Sequence, residues 1–253
     1  MRVSVVGDKK IGVCFARFLK KKGFKLISYY CDDIEEGVKC AVASGCKACT
    51  DLKRTVDESE LIMIAVPDSS VRRVMRKIAA FNPENKIFCV ISSSVDSDLV
   101  NIGGDNTYFS AFIPKFAQEK DGFADISDTM IFFEGTGKGF WDLYDVFYMR
   151  KISFKMIDKT QKSALVLAAA LATDFTKTLL NIADDVLKKA NLDSSWIRTL
   201  AMSSDNNSAL NNGEFNADLQ AMALNLGDTD AETSHKLLSV IKVFEVISVS
   251  YFN

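Results

Sequence analysis

Over the first 158 residues, short β-branched or aromatic runs alternate with segments of helical period. Val3–Val6 predicts a first strand. A glycine-containing turn follows, and then a helix from about Lys10 to Lys22, where Ile11, Cys14, Phe15 and Phe18 share one face at i, i+3, i+4, i+7. Gly23 ends that helix. Lys25–Tyr30 predicts a second strand and Ile34–Ser44 a second helix closed by Gly45. Leu61–Val66 is a nearly continuous apolar run suited to a central strand buried on both faces, and Pro67 stops it. A basic helix from Ser70 to about Ala80 is followed by strands near Lys86–Ile91, Thr107–Phe112, Thr129–Phe133 and Ile152–Ile157. Strands alternating with helices predict a mostly parallel sheet covered by helices.

Beyond Asp158 the pattern changes. Strand signals vanish, no proline occurs, and Leu165, Ala168, Ala172, Phe175, Leu179, Ile182 and Val186 recur at helical spacing. Lys159–Ala190 therefore predicts one long helix, broken by Asn191-Leu192-Asp193, with Asp193 or Ser194 as the next cap. Two or three further helices end with one from about Asp230 to Val249. The expected organisation is an α/β domain over 1–157 and an all-α domain over 158–253, with the Ala-rich face of the long helix buried against the first domain or a second copy.

Composition narrows the chemistry. Of 253 residues, 48% are hydrophobic, ample for a sizeable core, and the single histidine, His235, excludes a His-rich metal site or a two-histidine proton shuttle. Lys+Arg 31 against Asp+Glu 33 lacks the positive field that nucleic acid requires. The longest charge-free stretch, between Lys162 and Asp174, falls short of a membrane span. With no signal-peptide pattern, a cytoplasmic protein with reduced thiols is expected.

The turn Gly7-Asp8-Lys9-Lys10-Ile11-Gly12, between strand and helix, lies where a dinucleotide fingerprint G-x-G-x-x-G belongs. Gly7 and Gly12 hold its first and third places, but Lys9 stands at the middle one. Two readings of Lys9 stay open. Its ammonium, helped by Lys10 at the positive helix end, neutralises phosphate, or its bulk blocks the site. Asp32, twenty residues beyond Gly12, is placed to accept from a ribose hydroxyl, which favours NAD over NADP if either binds. The alternative is that Asp32-Asp33 simply starts the next helix.

Other groups carry weaker signals. Cys40, Cys46 and Cys49 lack a fourth ligand and read as small buried thiols. Ser92, Ser93 and Ser94 read as strand-end hydrogen bonders or as contacts to cofactor or substrate. Lys162 is the candidate general acid, since an ammonium in a dry cleft loses basicity, with Asp174 near the same helical face; the plainer reading is that both mark wet helix ends. The basic clusters Arg17, Lys20–Lys22 and Arg72, Arg73, Arg76, Lys77 read as solvated outer faces.

At Leu61-Ile62-Met63-Ile64-Ala65-Val66-Pro67-Asp68 the chain resembles bacterial Rossmann-like proteins with a helical C-terminal domain. These are distant relatives of pyrroline-5-carboxylate reductases, deazaflavin-dependent NADP reductases and the 6-phosphogluconate dehydrogenase-like group. The resemblance spans essentially the whole length. It implies that Ala65, Val66 and Pro67 lie over the cofactor's ribose and nicotinamide side. Where such relatives carry polar cleft residues, this chain has Ile91 before Ser92, Ile113-Pro114, Leu165-Val166 and Thr173-Asp174, while Lys162, Gly227-Asp228 and His235 are kept.

The combined expectation is a Rossmann-like homodimer that is an NAD(P)-dependent oxidoreductase acting on a small-molecule substrate. Gly7, Asp8, Lys9, Lys10, Ile11, Asp32, Ala65, Val66, Pro67 and Ser92 would hold NAD or NADP, and Lys162 would serve the chemistry. The alternative is a catalytically lapsed relative acting as a nucleotide sensor or structural dimer, with possibly no cofactor; neither nucleic acid nor membrane is expected as a partner.

Overall fold

The computed structural model describes residues 1–7, 10–113, 119–120, 123–137, 139–193, 195 and 242. Contacts divide the chain into two compact units, Met1–Ala169 and Ala170–Asn253. Asp8, Lys9, Pro114, Gly227-Asp228, His235 and the predicted final helix lie outside the described residues, as does the side chain of Asp174.

The first unit starts β1 (Arg2–Gly7), α1 (Lys10–Lys21), β2 (Lys25–Tyr30), α2 (Ile34–Ser44), β3 (Lys47–Cys49), α3 (Leu52–Asp57), β4 (Leu61–Ala65) and α4 (Asp68–Ala79). It continues through β5 (Ile87–Ile91), α5 (Ser97–Val100), β6 (Thr107–Phe112), the small pair β7 (Glu119–Lys120) and β8 (Phe123–Ala124), β9 (Ile131–Thr136), α6 (Phe140–Met149) and β10 (Phe154–Ile157). Eight strands form one sheet in the order β10-β9-β6-β5-β4-β1-β2-β3. All pairings are parallel except β6 with β9. From β3 to β6 this is the doubly wound 3-2-1-4-5-6 order when the first strands are counted in sequence, so strand order reverses between β1 and β4. A crevice opens there at the carboxyl ends of the strands.

The central strands bury both faces, as their unbroken apolar runs predict. Val3, Val5, Met63, Cys89 and Phe109 pack in a core that includes Phe15, Leu19 and Phe147. The alternate residues Val6, Ile62, Ile64, Phe88 and Val90 pack with Val71, Val74 and Ile78 of α4 in the other. α2 has the predicted bounds: Asp33 accepts from Glu36 N, and Gly45 closes the helix with φ +67°.

Sequence periodicity misses β3 and α3 because they are too short for a period to show; Asp51 caps α3 by accepting from Arg54 N at 3.1 Å. It also misses α6, whose Phe140-Trp-Asp-Leu-Tyr-Asp-Val-Phe-Tyr-Met149 sequence has too few polar positions to outline a face. The strand expected over Thr129–Phe133 runs instead from Ile131 to Thr136. Glu134 hides it, being a charged residue in a buried strand, where it accepts from Ser97 N (2.8 Å) and Ser97 Oγ (2.7 Å). α4 begins at Asp68 rather than Ser70.

The long helix forms as α7 (Lys159–Ala170) and α8 (Thr176–Lys189), joined by a π-helical turn over Leu171–Phe175. Thr176 Oγ1 donates to Leu171 O at 2.9 Å within that turn. Among the described side chains of α8 none is buried. By length and composition Lys159–Lys189 is apolar enough to cross a membrane. The charge-free run did not reveal this because Asp174 and Lys177 interrupt it. A helix that packs against protein meets the same test.

Candidate functional site

The crevice is built by two glycines that no other residue replaces. Gly7 ends β1 with φ +149°, and a Cβ there would lie 2.1 Å from Ala65 O. Gly12, one turn into α1, lets the helix lie on the sheet: a Cβ would sit 2.5 Å from Tyr29 Oη and 2.8 Å from Ala65 Cβ. The register pairing Gly7 with Ala65 places Ala65 beneath the turn. The first and third fingerprint glycines thus do what their places predict.

Two clefts open over the strand ends. One is lined by Val6 and Gly7, by Tyr30 at the end of β2 with Asp32 and Asp33 after it, by Val66 and Pro67, and by Arg73 of α4. The other is lined by Ile11, Asp68, Ile91, Ser92, Ser93, Ala111, Phe112 and Ile113. Of the predicted binding residues, Gly7, Asp32, Val66 and Pro67 therefore meet in the first cleft, and Ile11 and Ser92 in the second. Lys10 is the exposed first residue of α1.

Asp32 sits in a cage of donors. Tyr30 Oη donates to Oδ1 at 2.8 Å, Lys77 Nζ contacts Oδ1 and Oδ2 at 3.0 and 3.2 Å, and Arg73 Nη1 reaches Oδ2 at 3.2 Å. The hydrogen bond from Tyr30, followed by that from Lys77, holds the carboxyl below its ordinary range. Burial and then the Asp32 hydrogen bond push the Tyr30 phenol up to about 12. Arg73 and Lys77 read from sequence as solvated cations, but an i, i+4 pair on α4 faces the end of β2 instead.

Asp68 lines the second cleft. Its carboxylate accepts from Ser92 Oγ at 2.9 Å and from Ser94 Oγ, tying the start of α4 to the turn after β5. Ser92 Oγ in turn accepts from Ser94 N and Val95 N, each at 3.1 Å. The serine run is therefore a strand-end turn whose first hydroxyl is already engaged.

Lys162 lines neither cleft. It is 2% exposed, and its ammonium donates to Val95 O (2.5 Å) and Ser110 Oγ (2.7 Å), with Asp96 at 3.6 Å. Burial lowers its pKa below the ordinary lysine value, against the opposing pull of Asp96 and Glu134. Ser110 Oγ donates to Val95 O at 2.6 Å, so the lysine anchors the turn that carries Ser92 to Asp96. Sequence reasoning missed Glu134 and Tyr30 in these networks; a lone Glu inside an apolar strand pattern was the one available signal.

No protein-family model and no curated protein matches the chain. Solved structures do. An imine reductase from a Pseudomonas species superposes with a TM-score of 0.69 at 16% identity, over 98% of this chain and 94% of that one. A semialdehyde dehydrogenase NAD-binding protein from Cupriavidus necator, in complex with calcium and NAD, gives 0.66 at 15% identity, over 94% and 98%. An arogenate dehydrogenase from Synechocystis gives 0.63 at 15% identity, over 100% and 92%. At these identities the likeness speaks to architecture. The chain has the Rossmann-like α/β fold shared by NAD(P)-binding oxidoreductases.

Proposed function

We propose that this protein is an NAD(P)-dependent oxidoreductase acting on a small metabolite. The observation that carries the reading is the crevice at the reversal of strand order, where Gly7 and Gly12 bring α1 against the sheet and Asp32 closes the far end. The residues fit such a group. Val6, Val66 and Pro67 offer an apolar wall for an adenosine, Asp32 an acceptor for its ribose, and the start of α1 at Lys10 a positive helix end for the pyrophosphate. When bound, the nicotinamide supplies or accepts a hydride. Beside it, Asp68 and Ser92 line the second cleft, and Lys162 holds the Ser92–Asp96 turn through Val95 O. The named oxidoreductases with this fold, one of them holding NAD, support the assignment.

The experiment is a titration with NADH and NADPH, followed by nicotinamide fluorescence or calorimetry. Saturable binding is expected, tightened in Lys9→Gly if the lysine's bulk is the obstruction. Absence of saturable binding at millimolar cofactor overturns the reading.

A second reading is binding without turnover, favoured by the wall of Ile91, Ala111, Phe112 and Ile113 in the second cleft. Cofactor binding with no oxidation of any tested amine or alcohol and no reduction of any tested imine or aldehyde would select it. In either case we take the protein to be a cytoplasmic homodimer. Exposed Leu167, Leu171, Phe175 and Leu180 on the long helix supply an apolar surface that needs cover. A monomer in sedimentation would contradict the dimer.

A further inference from the structure

α2 packs on β2 and β3, the last two strands at one end of the sheet, and β3 is only three residues long. Its buried side carries Gly37, Cys40, Ala41 and Ser44. α1 flanks it on one side, where Arg17 Nε donates to Ala43 O at 2.6 Å. A further stripe of α2 is apolar yet exposed: Ile34 is 62% accessible, Val38 46% and Val42 74%. These three stand at i, i+4, i+8 and form one continuous ridge, the kind through which helices pack on one another. β-branched residues lose side-chain freedom in a helix, and at exposed positions they gain no burial in return. Single exposed apolar residues are ordinary on a protein surface, but an aligned row of them marks a contact surface.

We propose that this ridge docks against α2 of a second copy of the chain, the two helices running antiparallel about a two-fold axis at Val38. Such an axis sets Ile34 of one copy against Val42 of the other and brings the two Val38 side chains together. The charges beside the ridge argue for this occupant. At about 100° per residue, Glu35 and Lys39 fall on the same flank of the stripe. Antiparallel helices meet like flank to like flank, so Glu35 of each copy comes beside Lys39 of the other, twice in one isologous interface. Within one chain Lys39 pairs with Glu36 at 3.7 Å on an accessible surface, an ion pair cheap to open. A flank with one charge of each sign is complementary to itself, whereas a uniformly acidic or basic partner would meet a like charge on it. The ridge shares no residue with the long-helix surface proposed above for the homodimer, so the two contacts can be tested separately.

Sedimentation of the full-length chain over a range of concentrations is the test. Wild type is expected to associate in a step that Val38→Glu weakens at least about tenfold, because the contact would then bury unpaired carboxylates. Glu35→Lys and Lys39→Glu are each expected to weaken the same step, since every flank charge then faces its like. An equimolar mixture of those two variants is expected to regain it, because a mixed pair restores both opposite-charge contacts, and added salt should blunt that rescue. The rescue also shows that the two charge variants are folded. A wild type without the step, a step that Val38→Glu leaves unchanged, or charge variants that associate no better mixed than alone overturns the proposal. Association lost in Leu171→Glu but kept in Val38→Glu assigns it to the long helix and likewise overturns the α2 contact.

Discussion

Replacing Gly12 by alanine tests the geometry on which the crevice depends. In a helix interior the change relieves glycine's entropic penalty and should stabilise by about 0.5–1 kcal/mol. At Gly12 the new methyl would lie 2.5 Å from Tyr29 Oη, 2.8 Å from Ala65 Cβ and 3.2 Å from Val5 Cγ1, three atoms on the buried strands below. None is the free end of a flexible chain, so α1 must lift, and overpacking of this kind costs typically about 1–3 kcal/mol. The steric term is the larger at its midpoint, leaving a net loss centred on about 1 kcal/mol. Gly37 is the internal control. The same change in α2 meets only Cys31, with its Cβ at 3.2 Å, and should stay within about 0.5 kcal/mol of wild type. Urea melts read by hydrogen exchange in peptides from β1 and β4 follow the sheet domain by itself. An unchanged or raised midpoint in Gly12→Ala, with the Gly37 control also neutral, would show that α1 does not need this close approach.

Two further outcomes follow from buried and paired charges. Lys162→Met removes an ammonium whose burial is unfavourable and leaves Ser110 still bonded to Val95 O. Stability at pH 7 should therefore change by no more than about 1 kcal/mol, and a loss above about 3 kcal/mol in thermal or urea unfolding would make the lysine an indispensable anchor. Because its folded pKa is lowered, the unfolded chain binds the extra proton; wild-type stability should rise as pH climbs toward the free-lysine value, and this rise should be missing in Lys162→Met. For Asp32 the slope has the same sign but lies in acid. Its folded pKa is depressed, so the stabilisation from Arg73 and Lys77 is present above the free-carboxylate value near ~4 and is lost as pH falls toward the folded pKa. At this exposure the effect is at most about 1 kcal/mol, and an Asp32→Asn melt with the same slope between pH 5 and pH 3 as wild type would refute it.

Long elements were legible before any coordinates. β2 and α2 have the predicted bounds, and the apolar run ending at Pro67 became the central strand β4. Periodicity works there because burial on one or two faces is written in every second or every third to fourth residue. It failed for β3, α3 and α6, where the element is too short or too uniformly apolar to outline a face. The site divides in the same way. Gly7, Gly12 and Asp32 are tied to their backbone positions by one strand-turn-helix-strand unit and could be read locally. The cationic partners of Asp32 lie more than forty residues away on α4, and the Lys162 ammonium meets a hydroxyl fifty-two and a carbonyl sixty-seven residues distant. No local pattern encodes such distances.

The sequence by itself determined the alternation of strand and helix, the turn that admits α1 to the sheet, and the absence of imidazole from the first unit. Those properties depend on near neighbours along the chain, through backbone freedom and the spacing of apolar residues. Only the tertiary structure decided that Arg73 and Lys77 close on Asp32 while Lys162 is anchored behind the strand ends. Charges act through space, and whether a cation is a solvated surface group, a counter-ion or a buried anchor depends on which element the sheet order brings beside it.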